Sequence, residues 1–254
     1  MQRLLCAAGL IVGLLCACST PPDPKDTSRE LSAEALYTQS RDALKRGDTD
    51  SALLYLETLQ VRFPQDDYAL QAQLDIILAN YQREDYDAAI AAAGQFRQLN
   101  PRSPHGAYAT YMIGRSETAR LKSLFDKQVP RDFADHDQRV LDAAFEAYND
   151  VVRNYPDSAW AADAADRVVE IIEHNARHEL KTARFYLDRG AFIGAANRAH
   201  ALLSEYPDSA YTVDALVVLY RSYRAQGLVD QADDIRVLIA SVEPSHRLAR
   251  VDAS

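Results

Sequence analysis

The side chains that come closest to a metal-binding arrangement are two histidines, His174 and His178, four residues apart in a stretch with helical periodicity. Histidines at that spacing share one face of a helix and can form half of a zinc site. His178-Glu179 also begins like the His-Glu-x-x-His motif of zinc proteases, but Thr182 stands where the second histidine is required. We therefore interpret the pair as part of a solvated polar face and predict no metal site.

The rest of the sequence offers no arrangement of residues for catalysis. It contains no Gly-x-Ser-x-Gly run for a serine hydrolase, and no Gly-x-Gly-x-x-Gly or Walker-type run for a nucleotide. All of its cysteines lie at or before Cys18, so the body has no thiol for catalysis, a disulfide or a metal. A formal net charge of −9 without a basic tract argues against nucleic acid as a partner. We therefore expect a non-enzymatic protein without a cofactor.

The N-terminal residues have the pattern of an exported lipoprotein. Arg3 precedes an apolar run from Leu4 to Leu15, which is too short to cross a bilayer because a spanning helix needs about 20 residues. The run has the length of the apolar region of a signal peptide, and it leads into Cys16-Ala17-Cys18. This ending resembles the lipobox of bacterial lipoproteins, in which the cysteine is lipidated. We predict a signal peptide over residues 1–17 and lipid on Cys18; an ordinary signal peptide that contains cysteine is the alternative.

The residues after the predicted cleavage point lack any apolar periodicity. Residues 18–30 include three prolines and are expected to form an extended tether. Ser19 bears on the destination, because lipoproteins kept in the inner membrane usually carry Asp there. The likeness therefore implies a lipid-anchored protein on the outer membrane, facing the periplasm.

From Leu31 onward the apolar spacing is helical, and it repeats. Five helical runs are followed by a proline: Pro64, Pro101, Pro156, Pro207 and Pro244. Twelve residues before each lies an alanine: Ala52, Ala89, Ala144, Ala195 and Ala232. Five residues before each lies a larger apolar residue: Leu59, Phe96, Val151, Leu202 and Ile239. Glycine stands seventeen residues before three of the prolines, at Gly47, Gly190 and Gly227, whereas Glu84 takes that place in the second run.

This is the tetratricopeptide signature of a small residue, a large apolar residue and a terminal proline. A small residue is needed where paired helices cross closely. The sequence therefore predicts an all-α, superhelical solenoid of about five helix-turn-helix repeats. We expect leucine at Ala89 or Ala195 to disturb the packing, and leucine at Ala33 to be mild.

The proline spacings divide the chain further. The spacing before Pro156 is the longest and implies an insertion loop at residues 123–137. We expect N-terminal repeats over 31–122 and C-terminal repeats over 138–254. A stretch near 159–189 without proline or glycine predicts one long linking helix, or two joined by a mild kink.

Local runs give the chain a resemblance to the BamD family of lipoproteins, which belongs to the outer-membrane β-barrel assembly machinery. The second repeat begins with Phe63-Pro64, Tyr68, Gln71 and Gln73-Leu74-Asp75, as in that family. The third, fourth and fifth show the family's pattern in Leu99-Asn100-Pro101, Tyr108, Tyr111-Met112, Gly114, Tyr155-Pro156-Asp157-Ser158, Arg189-Gly190-Ala191-Phe192, Asn197-Arg198 and Tyr206-Pro207-Asp208-Ser209. The likeness covers nearly the whole chain.

The resemblance implies a non-enzymatic scaffold that helps β-barrel proteins to fold and insert into the outer membrane. The C-terminal repeats would dock to the POTRA domains of a BamA-like barrel subunit, with Arg198 and Asn197 as candidate docking residues. Lipoproteins like BamC and BamE would join them. The N-terminal repeats would receive unfolded outer-membrane proteins, and the candidate peptide-binding residues are Tyr68, Gln71, Gln73, Asp75, Tyr108 and Tyr111.

Two alternative interpretations remain open. Any single tyrosine in repeats two and three is as well explained by packing as by binding, although amphipathic rings suit a surface that holds varied peptides. The single tryptophan, Trp160, is interpreted as packing within or between repeats, by its parallel with Tyr211. A different periplasmic tetratricopeptide adaptor, which coordinates cell-wall enzymes, is the alternative function.

Overall fold

The chain folds entirely into α-helices over the part that the computed structural model describes, residues 30–126 and 138–248. These residues form ten helices: α1 (Ala33–Lys45), α2 (Thr49–Arg62), α3 (Asp67–Gln82), α4 (Tyr86–Leu99), α5 (Gly106–Asp126), α6 (Gln138–Asn154), α7 (Ala161–Asp188), α8 (Phe192–Glu205), α9 (Thr212–Ala225) and α10 (Val229–Val242). The all-α solenoid prediction is confirmed. The signal peptide, Cys18, the tether up to residue 29 and most of the predicted insertion, residues 127–137, lie outside the described residues.

Successive helices pack against each other in pairs, and the first helices of neighbouring pairs also touch. Thus α1 contacts α3, α3 contacts α5, and α7 contacts α9. Close approach on one side of a stack of helix pairs makes that side the inner, concave one. The layer formed by α1, α3, α5, α7 and α9 is therefore called the inner layer below. None of the helices in the described parts is long and apolar enough to cross a bilayer.

The repeat register read from the prolines is confirmed by burial. The alanine twelve residues before each proline is fully buried in every repeat (Ala52, Ala89, Ala144, Ala195 and Ala232). The larger apolar residue seven positions later is also buried in every repeat (Leu59, Phe96, Val151, Leu202 and Ile239). Both positions therefore lie between helices, where the small side chain permits close crossing.

The four described turns inside repeats share one backbone conformation, including the turn without glycine. Gly47, Gly190 and Gly227 have φ between 75° and 77°, and Glu84 has φ 62°. After α1, the Asp48 amide donates to the Ala43 carbonyl, and after α3 the Asp85 amide donates to the Asn80 carbonyl in the same way. This is a helix C-terminus closed by a left-handed residue, a position where glycine is strongly preferred. Glu84 adopts the same left-handed conformation although glutamate does not favour it.

We expect Glu84→Gly to raise the free energy of unfolding by about 0.5–1 kcal/mol. A left-handed residue with a Cβ costs about 1–2 kcal/mol, and the greater freedom of glycine in the unfolded chain offsets part of the gain. Chemical denaturation of both proteins measures the difference. Gly47→Ala is the reverse change at the equivalent turn and should lower the free energy of unfolding. If both substitutions shift the free energy of unfolding in the same direction, this account is contradicted.

The long stretch after Pro156 forms a single helix, α7, which belongs to two cores. Its first half packs Ala164 and Ile171 into a cluster with residues from α3 to α6. Its second half packs Ala176, Leu180 and Ala183 into a cluster with α8, α9 and α10. A smaller cluster joins α1, α2 and α3. The inner layer therefore passes from the N-terminal to the C-terminal repeats through one continuous helix.

Candidate functional site

A buried carboxylate lies on the inner layer between the first two repeats. Asp75 on α3 is 4% exposed, and both of its oxygens lie 3.4 Å from Nη1 of Arg41 on α1. Nε2 of Gln71 donates to the same carboxylate at 3.1 Å. A buried charge needs such partners because removing it from water is costly. The rings of Tyr37 and Tyr68 stack beside it with centroids 4.9 Å apart; the five residues are called the Asp75 cluster.

Two tyrosine hydroxyls near Asp75, those of Tyr37 and Tyr108, have a raised pKa. Burial, and then the negative charge of Asp75, raise the pKa of Tyr37. Burial and the same carboxylate raise the pKa of Tyr108, on α5, to about 12. Both hydroxyls are therefore neutral at any physiological pH. They present amphipathic rings to a binding partner without adding negative charge.

A second group of rings, the aromatic cluster, lies between α5, α6 and the start of α7. It consists of Tyr108, Tyr111, Tyr148 and Trp160. The ring centroid of Trp160 lies 5.0 Å from that of Tyr111 and 5.4 Å from that of Tyr108. The rings of Tyr111 and Tyr148 pack edge to face, with centroids 5.9 Å apart. Trp160 thus packs between repeats, as its sequence parallel with Tyr211 suggests. Because Tyr148 is 1% exposed, the cluster is anchored in the core and only its outer rings reach the surface.

The hydroxyl of Tyr111 is tied to a carboxylate on the next inner helix. It donates to Oδ2 of Asp163 on α7 at 2.5 Å. Burial and this hydrogen bond raise the pKa of Tyr111 to about 12, and the same bond lowers the pKa of Asp163. Asp163 is therefore ionised and Tyr111 is a permanent donor. The pair fixes α5 against α7 across the inner layer.

Beside this pair lies a pocket of about 370 Å³, the Arg115 pocket. Its walls come from α3, α5, α6 and α7: Tyr81, Tyr111, Arg115, Thr118, Ala119, Tyr148, Asp163 and Arg167. The guanidinium of Arg115 lies 4.7 Å from the centre of the Tyr81 ring and donates to its hydroxyl at 3.3 Å. The pocket therefore combines aromatic faces with cationic side chains.

The predicted peptide-binding residues do not all lie together. Tyr68, Gln71 and Asp75 meet in the Asp75 cluster, and Tyr108 and Tyr111 meet in the aromatic cluster. Gln73 contacts a different region, because its Oε1 accepts from Nδ2 of Asn100 at 2.8 Å. It also lines a small pocket with Gln60 and Phe96, residues of the second helices of their repeats.

The predicted docking residues lie on α8 and face different directions. Arg198 is about half exposed, and its Nη1 lies 3.3 Å from both oxygens of Glu179 on α7. Asn197 is exposed and lies about 100° further round the helix, on the side of the exposed Ile193. Arg198 is therefore at the edge of the α7–α8 interface, and Asn197 lies on the outward face.

The sequence did not predict four charged residues of this surface, the three arginines Arg41, Arg115 and Arg167 and the carboxylate of Asp163. A signal for two of them was present in the spacing. Arg41 and Asp75 are 34 residues apart, as are Tyr81 and Arg115. A separation of about one repeat length places residues opposite each other on neighbouring inner helices. No such regularity was available for Asp163 and Arg167, because the insertion precedes α6 and the start of α7.

The described residues hold no group of three or more histidine, cysteine, aspartate or glutamate side chains arranged to bind a metal ion. What the inner layer offers is a row of tyrosine faces, hydrogen-bond donors and arginines across three repeats. Such a surface suits the binding of an extended, partly apolar chain, since aromatic and arginine side chains dominate protein-binding sites.

Comparison with known proteins gives a consistent family. A family model described as an outer membrane lipoprotein, YfiO, matches residues 29–238. The outer membrane protein assembly factor BamD of Neisseria meningitidis serogroup A is 31% identical over 246 residues, covering 96% of this chain and 92% of that protein. BamD of Haemophilus influenzae is 34% identical over 236 residues, covering 93% and 87%. The crystal structure of MamA aligns with a TM-score of 0.36 at 16% identity, over 84% of this chain and 92% of that one.

Proposed function

Because this chain belongs to the BamD family of outer membrane protein assembly factors, we propose that it is a lipid-anchored scaffold of the β-barrel assembly machinery. In this role it docks to a BamA-like barrel subunit and receives unfolded outer-membrane proteins. The observation that supports the receiving role is the inner layer, where the Asp75 cluster and the aromatic cluster lie on successive repeats. No step of this function requires bond chemistry from the protein.

The inner layer suits unfolded barrel proteins for a physical reason. Membrane strands alternate apolar and polar side chains along segments of about 10 residues. An extended segment can place its apolar side chains on the rings of Tyr68, Tyr108 and Trp160. Its backbone amides and carbonyls can then pair with Gln71 and with tyrosine hydroxyls. Amphipathic rings accept varied sequences, which a receiver of many substrates must do.

We place docking to the barrel subunit on the C-terminal repeats, with Arg198 and Asn197 in the contact. The exposed half of Arg198 leaves donors free for a partner carboxylate beyond the one on Glu179. The exposed Ile193 adjoins Asn197 and adds apolar area at the same end of α8. Accessory lipoproteins like BamC and BamE would occupy other parts of the scaffold.

We expect Arg198→Ala to weaken binding to the POTRA domains of a BamA-like partner by about 1 kcal/mol or more. Titration of the purified domains against wild type and variant measures this, with a thermal melt to verify folding. Glu179→Gln is the control, because it removes the ion pair but keeps Arg198. If Glu179→Gln weakens binding as much as Arg198→Ala, the arginine acts by holding α8 against α7 and is not itself in the contact.

A mild-detergent pull-down with mass spectrometry tests the whole function. Recovery of a barrel subunit together with small lipoproteins supports the proposal. Recovery of cell-wall hydrolases without a barrel subunit would instead support the alternative, an adaptor that coordinates cell-wall enzymes. The recovered partners distinguish the two functions. The anchor and the helical repeats do not, because they are common to both.

We also propose that Cys18 carries the lipid anchor. Cys18→Ala should leave a folded body that fractionates with soluble periplasmic proteins, since stable anchoring takes two or more acyl chains. Membrane flotation of the purified variant, away from its partners, gives the measurement. Substantial retention of that variant on vesicles would mean that the lipobox has been misread.

A further inference from the structure

Arg115 stands out on the inner layer because it forms no ion pair with a carboxylate among the described side chains, those of residues 30–121 and 141–248. Its polar contact is the single hydrogen bond to the Tyr81 hydroxyl, and its guanidinium otherwise faces the rings of Tyr81 and Tyr111 at 4.7 and 5.9 Å. Guanidinium has five donors in a fixed plane. Arg115 lines the Arg115 pocket, and its remaining donors form no hydrogen bond with the described side chains.

Several arginines on the surrounding helices are paired with carboxylates, whereas the exposed Arg153 and Arg177 have no such pair among the described side chains. The pairs are Arg41 with Asp75, Arg83 with Asp50 and Asp85, Arg97 with Asp150, Arg120 with Glu117 and Asp87, and Arg167 with Asp163 and Glu170. In a chain with an excess of acidic residues, a partly buried arginine without such a partner is a conspicuous exception. Desolvated charge of this kind is stabilised when an anion fills the site.

The acid that does line the pocket is already satisfied. Asp163 accepts from the Tyr111 hydroxyl at 2.5 Å and lies 3.5 Å from Arg167, which also pairs with Glu170 at 2.9 Å. Its negative charge is therefore matched by Arg167 and by a neutral donor. Arg115 acts on this carboxylate through space and contributes to lowering the pKa of Asp163, but it forms no direct ion pair with it. An incoming group with one negative charge meets a favourable site.

The pocket has the size and the walls for one end of a peptide. About 370 Å³ accommodates a carboxylate together with an adjacent side chain. The rings of Tyr81 and Tyr111 lie beside the guanidinium, and the Tyr148 ring lines the same pocket. These rings limit the access of water to a bound carboxylate, and the partly exposed Tyr81 offers an apolar face to the neighbouring side chain.

We infer that Arg115 is a binding site for a carboxylate carried by the bound peptide, held by the guanidinium fork while an apolar side chain next to it packs on the tyrosine rings. This inference rests on the proposed role as a receiver of unfolded chains. Two sources can supply the group, the free C-terminal carboxylate of the chain or an internal glutamate or aspartate. Their shared chemistry is the same bidentate acceptor.

Fluorescence anisotropy with three labelled peptides of about 10 residues tests the inference. All alternate polar and aromatic residues and end in phenylalanine. One has a free C-terminal carboxylate, one a C-terminal amide, and one an amide with glutamate near the end. Wild type should bind the free acid about tenfold more tightly than the uncharged amide. A glutamate peptide that recovers the affinity shows that a side-chain carboxylate also fills the site; one that does not assigns the site to chain ends.

Arg115→Gln should remove the preference and bind all three peptides with the affinity of the amide. Arg115→Lys keeps the charge without the fork and should keep part of the preference, which serves if the glutamine variant folds poorly. Arg97→Gln is the matched control, because Arg97 is paired with Asp150 and lines a different pocket; it should keep the full preference.

Equal binding of all three peptides to wild type, or an unchanged preference in a folded Arg115→Gln protein, would overturn this inference and leave the receiving role intact. Failure of every peptide to bind would remove the receiving role together with the inference.

Discussion

Alanine at position 114 should lower the free energy of unfolding by about 2 kcal/mol, although Gly114 lies within helix α5, where alanine is normally preferred. A Cβ at Gly114 would lie 2.8–2.9 Å from three ring carbons of Tyr148. Tyr148 is 1% exposed and its ring packs on Tyr111, so a shift of the ring would disturb that contact. Overpacking of this kind lowers the free energy of unfolding by about 1–3 kcal/mol. This loss is larger than the stabilisation that the higher helix propensity of alanine provides.

Gly94→Ala gives the opposite sign and is the matched control. Gly94 also lies within a helix, α4, but a Cβ there would meet nothing within 4 Å. Helix propensity alone then applies, and the variant should gain about 0.8–1 kcal/mol. Denaturant unfolding of the two variants beside wild type measures both changes. If both shift stability in the same direction, the contact between Gly114 and Tyr148 is not what requires glycine.

The sequence was sufficient for the repeat register because the register depends on local rules. Proline ends a helix wherever it stands, and a buried alanine marks a close helix crossing. Ala52, Ala144 and Ala232 could therefore be assigned to the helix interface without any knowledge of the fold. The shared left-handed turn at Glu84 could not be read from residue preference, because glutamate disfavours that conformation. Hydrogen bonds that close α3 impose it instead.

The candidate site was predictable only in part, for a geometric reason. Tyr68, Tyr108 and Tyr111 were identified by family likeness, and each does contact another aromatic side chain on or beside the inner layer. Their charged neighbours come from other repeats, so they depend on the distance between inner helices. The ion pair of Arg198 with Glu179 is of the same kind, since it requires α8 to pack on α7 with a particular rotation.

Leucine at Ala89 or Ala195 should lower the free energy of unfolding by about 1–3 kcal/mol. Both alanines are 0% exposed, and Ala195 belongs to the C-terminal core between α7 and α8. Three extra carbon atoms at a close crossing force the paired helices apart. At about 2–4 °C per kcal/mol for a chain of this size, the loss should appear as a melting temperature lower by several degrees.

The choice of control for these leucine variants decides what they prove. Ala33 was expected to tolerate leucine as a residue of an opening helical turn, but it is buried, with 7% exposure, and is unsuitable. Ala91 lies two residues after Ala89 on the same helix and is exposed. Leucine there adds the same volume and nearly the same helix propensity without a crossing helix to displace. Ala91→Leu should therefore melt within about 2 °C of wild type, since surface changes usually stay within about 0.5 kcal/mol. Equal losses at positions 89 and 91 would show that leucine disturbs the helix itself, and the assignment of Ala89 to a helix crossing would fail.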